Sequence, residues 1–299
     1  DAGFASDQIQ IRLTARFDGG RLTPRTLRVS NAEIGAAGRR VAPEVRRALA
    51  AAAGNIRTYH EARLVRFPSG RAGASPAPTR TRNGGVESWE VFRPVDRVGV
   101  YVPGGRFAYP STVLMTALVA RVAGVRRVVM AVPPARVTPE VLEAARLAGV
   151  DELYRIGGAQ AIAAMAYGTE TIPAVDKIVG PGNAWVTEAK RQVFGTVGID
   201  CLAGPSELVV VADGSADARA IAADLRAQAE HDPDARGLLL TTSARLARDV
   251  RSMASGRQVS VRRLSSLARA FEQANAAAPE HLEIVVRGAE RWLGRVTRA

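Results

Sequence analysis

From Arg97 onward, short continuous apolar runs alternate with segments of helical spacing. The runs RVGVYVP, RRVVMAVPP, DELYRIGG, DKIVG, SELVVVAD and RGLLLTTS predict strands. Between them the pattern predicts helices over 111–123, 138–147, AQAIAAMAYG, 184–193 and 216–230. Strands and helices in strict alternation predict an α/β fold with parallel sheets covered by helices. Runs of Val, Leu and Ile without polar alternation fit strands buried on both faces. The first hundred residues read as helical, with helical spacing over 43–59 and a long loop over 67–85, FPSGRAGASPAPTRTRNGG.

Composition narrows the class. With 299 residues, 47% of them hydrophobic, the chain can bury two cores or one large one. No apolar run approaches the roughly eighteen residues of a membrane span, so no membrane association is expected. No basic-then-apolar leader is visible, although the chain begins at Asp1 rather than methionine, which leaves room for a preceding segment. Cys201 is the single cysteine, so neither an internal disulfide nor a cysteine-based zinc site is expected, and a reducing, cytoplasmic setting is the simplest reading. The net charge of +12 raises the question of nucleic acid. The arginines are dispersed and not interleaved with stacking aromatics, which reads as a solvated surface with no nucleic-acid partner.

Three strand-to-helix turns are rich in glycine: VPGG at 102–105, GGAQ at 157–160 and GPGN at 180–183. Glycine there lets a backbone approach a phosphate, and a following helix start favours anions. Each turn alone is equally an ordinary turn, and none is the GxGxxG fingerprint. Three in series, with Gln160 and Asn183 at two of them, point to a ligand edge. The chain has three histidines, and two follow a glutamate: Glu230–His231 and Glu280–His281. Gln228 and His231 stand three apart on one helix, so an oxygen and an imidazole can share a divalent metal. The alternative for His231 is a helix C-terminus interacting with the dipole. His281, with Glu280 beside it, can act as a general base with a second proton acceptor, or the two form a plain surface pair. His60, in NIRTYHEARL, reads as a helix-surface residue.

Taken together, RPVDRVGVYVPGG, the run from STVLMTALVARVAG through IGGAQAIAAMAYGTETIPAVDKIVGPGNAWVTEAK, LAGPSELVVVAD, DLRAQAEHDPDA and APEHLE resemble the histidinol dehydrogenase family. The resemblance implies NAD contacts at Tyr101, Gln160 and Asn183, and substrate contacts at Ser206, Gln228, His231 and His281. It implies zinc ligands at Gln228 and His231 and a catalytic pair at Glu280 and His281. It further implies a cytoplasmic homodimer that oxidises L-histidinol to L-histidine in two hydride transfers, using NAD and one zinc ion. For the fold it implies two incomplete Rossmann-like domains with mostly parallel sheets, one inserted in the other: 1–100 plus 206–299 carrying metal ligands and catalytic residues, and 101–205 binding NAD. Two further zinc ligands, an aspartate and a histidine, are expected beyond residue 299, so the chain reads as truncated at its C-terminus, with weakened metal affinity. Alternatives are a family member acting on another polar alcohol, such as a sulfopropanediol, or an inactive homologue.

Overall fold

Alternation of side chains along the strands decides the architecture. The structure, a computed structural model, describes residues 6–65, 79–90, 92–105, 108–202, 206–231, 234–254 and 256–298. Strands are labelled β1 (Thr79–Asn83), β2 (Val86–Glu90), β3 (Arg97–Tyr101), β4 (Arg127–Ala131), β5 (Glu152–Tyr154), β6 (Lys177–Val179), β7 (Gly198–Ile199), β8 (Glu207–Ala212), β9 (Arg236–Thr241), β10 (Val259–Arg263) and β11 (His281–Val285).

The first compact unit spans Asp1–Ala203. Its main sheet has five strands in the order β5-β4-β3-β6-β7, every pair parallel. Counted along the chain this is 3-2-1-4-5, the doubly wound order, with its reversal between β3 and β6. Val98 and Val100 of β3, with Val128 and Met130 of β4, enter one core, against Leu114, Leu118, Val141 and Leu142. Tyr101, Val129, Ala131 and Tyr154 enter the other, against Ile162, Met165 and Val186. Period-two alternation therefore feeds two helix layers at once. Thr138 and Asn183 cap the helices Pro139–Ala148 and Ala184–Val193 through their side chains, which fixes where each begins.

The second unit spans Gly204–Ala299. Its four strands lie in the order β10-β9-β8-β11, again all parallel. Along the chain this is 3-2-1-4, so it repeats the first part of the other unit's winding. Leu208 and Val210 pack on Ile221, Leu225 and Val250. Val209 and Val211 pack on Phe271 and Ala274, and Phe271 stacks on Trp292 at 5.1 Å between ring centroids.

One expectation needs correction. The expected loop over 67–85 contains, at its described end, a two-stranded hairpin: β1 and β2 pair antiparallel with Asn83 opposite Val86. Gly84 and Gly85 both have positive φ, as a two-residue primed turn requires. The remainder of that loop lies outside the described residues. The N-terminal helices pack within the first unit. Val29, Ile34, Leu49 and Ala53 lie in the core of β3 and β4, and Leu27 in that of Tyr154. The backbone at Leu27 and Val29 extends the edge at β5, through Arg155 N–H to Leu27 O and Val29 N–H to Leu153 O, both 2.8 Å.

Phe271 is 2% exposed and holds one face of the second sheet. Phe271→Ala is expected to cost about 3–5 kcal/mol, read by urea denaturation. A loss below about 1 kcal/mol would show that this face collapses to fill the space.

Candidate active site

In a parallel sheet every carboxyl end lies on one edge, so the three glycine turns share an edge of the first unit. VPGG follows β3, GGAQ follows β5 and GPGN follows β6. Their glycines are required by close approach. A Cβ on Gly180, where φ is +116°, would stand 2.1 Å from the Tyr101 carbonyl oxygen. Cβ atoms on Gly104 and Gly157 would stand 2.8 and 2.6 Å from Pro133 Cγ. The turns after β3 and β5 are thus packed on one proline of the turn after β4.

Tyr101 is buried, and its hydroxyl accepts the Gly158 N–H at 3.0 Å. Burial raises its phenol, the Gly158 N–H lowers it and the charge of Asp18 raises it again. Gln160 is 7% exposed, and its Nε2 has no hydrogen-bond partner among the described residues. Asn183 caps the next helix: its Oδ1 accepts the Val186 N–H at 3.1 Å. The edge therefore offers a buried unsatisfied amide, backbone room and two helix starts, a set that fits a phosphate-bearing dinucleotide. The GPGN turn is held from below by two residues that sequence reasoning missed. Lys190, 2% exposed, donates to Gly180 O at 2.8 Å and pairs with Asp200 Oδ1. Asp200 Oδ2 accepts the Gly180 N–H at 2.7 Å. Lys190 is one of only two lysines in the chain, which was the available signal.

In the second unit the candidates gather at the opposite kind of edge. Ser206 directly precedes β8 and Glu280 directly precedes β11; these strands are neighbours, with His281 opposite Leu208. The helix Ala218–His231 leaves the carboxyl end of β8 and returns, so its last turn, with Gln228 and His231, ends at the amino edge. The Ser206 carbonyl accepts the Arg236 N–H at 3.2 Å, five residues after His231. His281 Nε2 stands 3.9 Å from Glu280 Oε1, and both side chains are more than half exposed. Gln228 has a buried Nε2 without a partner among the described residues. Glu283, two residues along β11 from His281, is a further titratable group. Burial raises its carboxyl, Asp224 on the same helix as Gln228 raises it further, and His281 lowers it. The i, i+2 spacing of His281 and Glu283 was a legible signal.

The described residues fit a metal only in part. The helix places Gln228 and His231 one turn apart, but the Gln228 atom left open among the described residues is the donor Nε2, which does not itself call for a cation. Among the described residues no group of three or more His, Cys, Asp or Glu is placed to hold an ion.

Two doubly wound sheets with polar groups left open on their edges define an α/β protein built to hold ligands. A solved histidinol dehydrogenase from Elizabethkingia anophelis superposes with a TM-score of 0.88 at 34% identity, covering 98% of this chain and 69% of that one. Histidinol dehydrogenases from Moorella thermoacetica and Gluconobacter oxydans are 47% and 48% identical over 96% of this chain, which spans 70% and 68% of their lengths. The chain is thus a dehydrogenase. The histidinol dehydrogenase family model matches residues 5–299, and the chain belongs to that family.

Removing Lys190 would strand the Asp200 charge. Lys190→Met is expected to cost about 3 kcal/mol, the low end for a buried pair because Asp200 is partly exposed. Lys190→Met combined with Asp200→Asn should cost less than the sum of the two single changes. Strict additivity in chemical denaturation would show that the pair is not coupled.

Proposed function

We propose that this chain oxidises L-histidinol through the aldehyde to L-histidine, the closing steps of histidine biosynthesis, with NAD and one zinc ion, as a cytoplasmic homodimer. Support comes from family membership and, for the cofactor, from the buried Gln160 amide, whose Nε2 has no partner among the described residues at the glycine-turn edge. Tyr101, Gln160 and Asn183 would hold NAD, and Gln228 with His231 would contribute to the zinc site and contact substrate. When bound, NAD supplies the hydride acceptor and zinc a cation that orients the substrate's imidazole and amine. His281 takes the alcohol proton as the neighbouring C–H bond breaks. Glu280 then takes a proton from water as its oxygen adds to the aldehyde carbon. The hydrate loses a second proton and a second hydride, so each half-reaction removes two electrons. Ser206 holds the substrate through its hydroxyl.

Incubating the chain, joined to the C-terminal segment expected to carry the remaining zinc ligands, with L-histidinol and NAD, and following NADH and histidine together, tests this reading. The expected stoichiometry is two NADH per histidine. NADH from another polar alcohol but none from histidinol would sink it. His281→Ala should lower turnover on the order of 10²–10⁴-fold while leaving NAD binding unchanged. Asn183→Ala should weaken NAD binding and, because Asn183 caps a helix, also cost about 1 kcal/mol of stability. Calorimetry with NAD and thermal melting separate these two effects. An unchanged NAD affinity would move the cofactor away from Asn183.

A further inference from the structure

Two buried polar atoms flank the same pair of glycines on the carboxyl edge of the first sheet. Neither has a partner among the described residues. One is Gln160 Nε2, already a candidate cofactor contact; the other is Asp18 Oδ2. Asp18 ends the helix Asp7–Phe17, where its backbone N–H bonds to Thr14 O at 2.8 Å. A Cβ on Gly157 would stand 3.3 Å from Asp18 Oδ2, and a Cβ on Gly158 would stand 2.7 Å from Gln160 Oε1. The Tyr101 phenol, bonded to Gly158, feels the Asp18 charge. Burial raises the Asp18 carboxyl itself. A buried carboxylate oxygen without a donor is costly, and a fold that keeps one is arranged for something that brings the donor.

We infer that Asp18 is a cofactor-contacting residue whose carboxylate accepts hydrogen bonds from the vicinal hydroxyls of a dinucleotide ribose. This rests on the NAD reading above. A carboxylate accepts only, and on a dinucleotide the ribose diol presents two adjacent donors matched to its two oxygens. In doubly wound dinucleotide sites an acidic residue following the second strand takes this role. Here the second strand, β4, runs into Val132, Pro133 and Pro134, which carry no carboxylate. Pro133 abuts the same glycine, Gly157, that Asp18 abuts. The N-terminal segment thus delivers the acid where the end of the second strand does not. The same negative charge disfavours a 2′-phosphate, so Asp18 also selects NAD over NADP.

The test is calorimetric titration of NAD and NADP into the whole chain, Asp18→Asn and Gln160→Ala, with melting curves of each free protein. Asp18→Asn is expected to weaken NAD binding tenfold or more, about one hydrogen bond to a charged group. It should also narrow the preference over NADP. Its free-state melting temperature should hold or rise, since an unpartnered charge is removed. Normal NAD affinity in Asp18→Asn beside weakened affinity in Gln160→Ala overturns the role of Asp18 and leaves the cofactor reading standing. Normal affinity in both variants, or no NAD binding by the unaltered chain, overturns both. A fall in melting temperature with NAD affinity retained assigns the carboxylate to the fold and also overturns the inference.

Discussion

A parallel strand must be covered on both faces, because each crossover lays a helix against the sheet. In β3 that requirement sends Val98 and Val100 into one core and Tyr101 into the other. Once both faces are filled, only the edges remain open to ligands. The placement of the chemistry follows from this constraint.

The two kinds of edge differ in electrostatic sign. At the carboxyl edge of the first unit helices begin, at Gly158 and Ala184, so the exposed N–H groups and positive dipole ends face outward. That edge suits a pyrophosphate. At the amino edge of the second unit the helix Ala218–His231 ends, and its carbonyls favour a cation. Gln228 and His231 lie in that last turn. The cofactor candidates and the metal candidates therefore sit where the backbone alone favours an anion and a cation respectively. The exposed Glu280–His281 pair starts a strand, so its position is tied to the β8–β11 register.

Much of this was readable in the chain. Unbroken apolar runs announced the buried strands, and Asn183 announced both a turn and a helix start. The hairpin at Asn83-Gly84-Gly85-Val86 was hidden by its neighbours, since Pro, Gly, Ser and Arg around it read as loop composition. The N-terminal helices were legible as helices but not as part of the first unit. Which core Leu27 or Leu49 enters depends on long-range packing that periodicity does not encode. Asp18, Lys190 and Asp200 escaped for a related reason: each lies against a glycine elsewhere in the chain, at sequence separations of 139, 10 and 20. Glu283 was passed over although its spacing from His281 was visible.

Lys190 also makes the chain a reporter on itself. The protein has two lysines, and Lys177 is partly open to solvent while Lys190 is sealed beneath the Gly180 turn. An amine-acylating reagent can reach Lys190 only when that turn lifts. The rate of its acylation, set against that of Lys177 in the same molecule, clocks the breathing of the carboxyl edge of the first sheet without any engineered label.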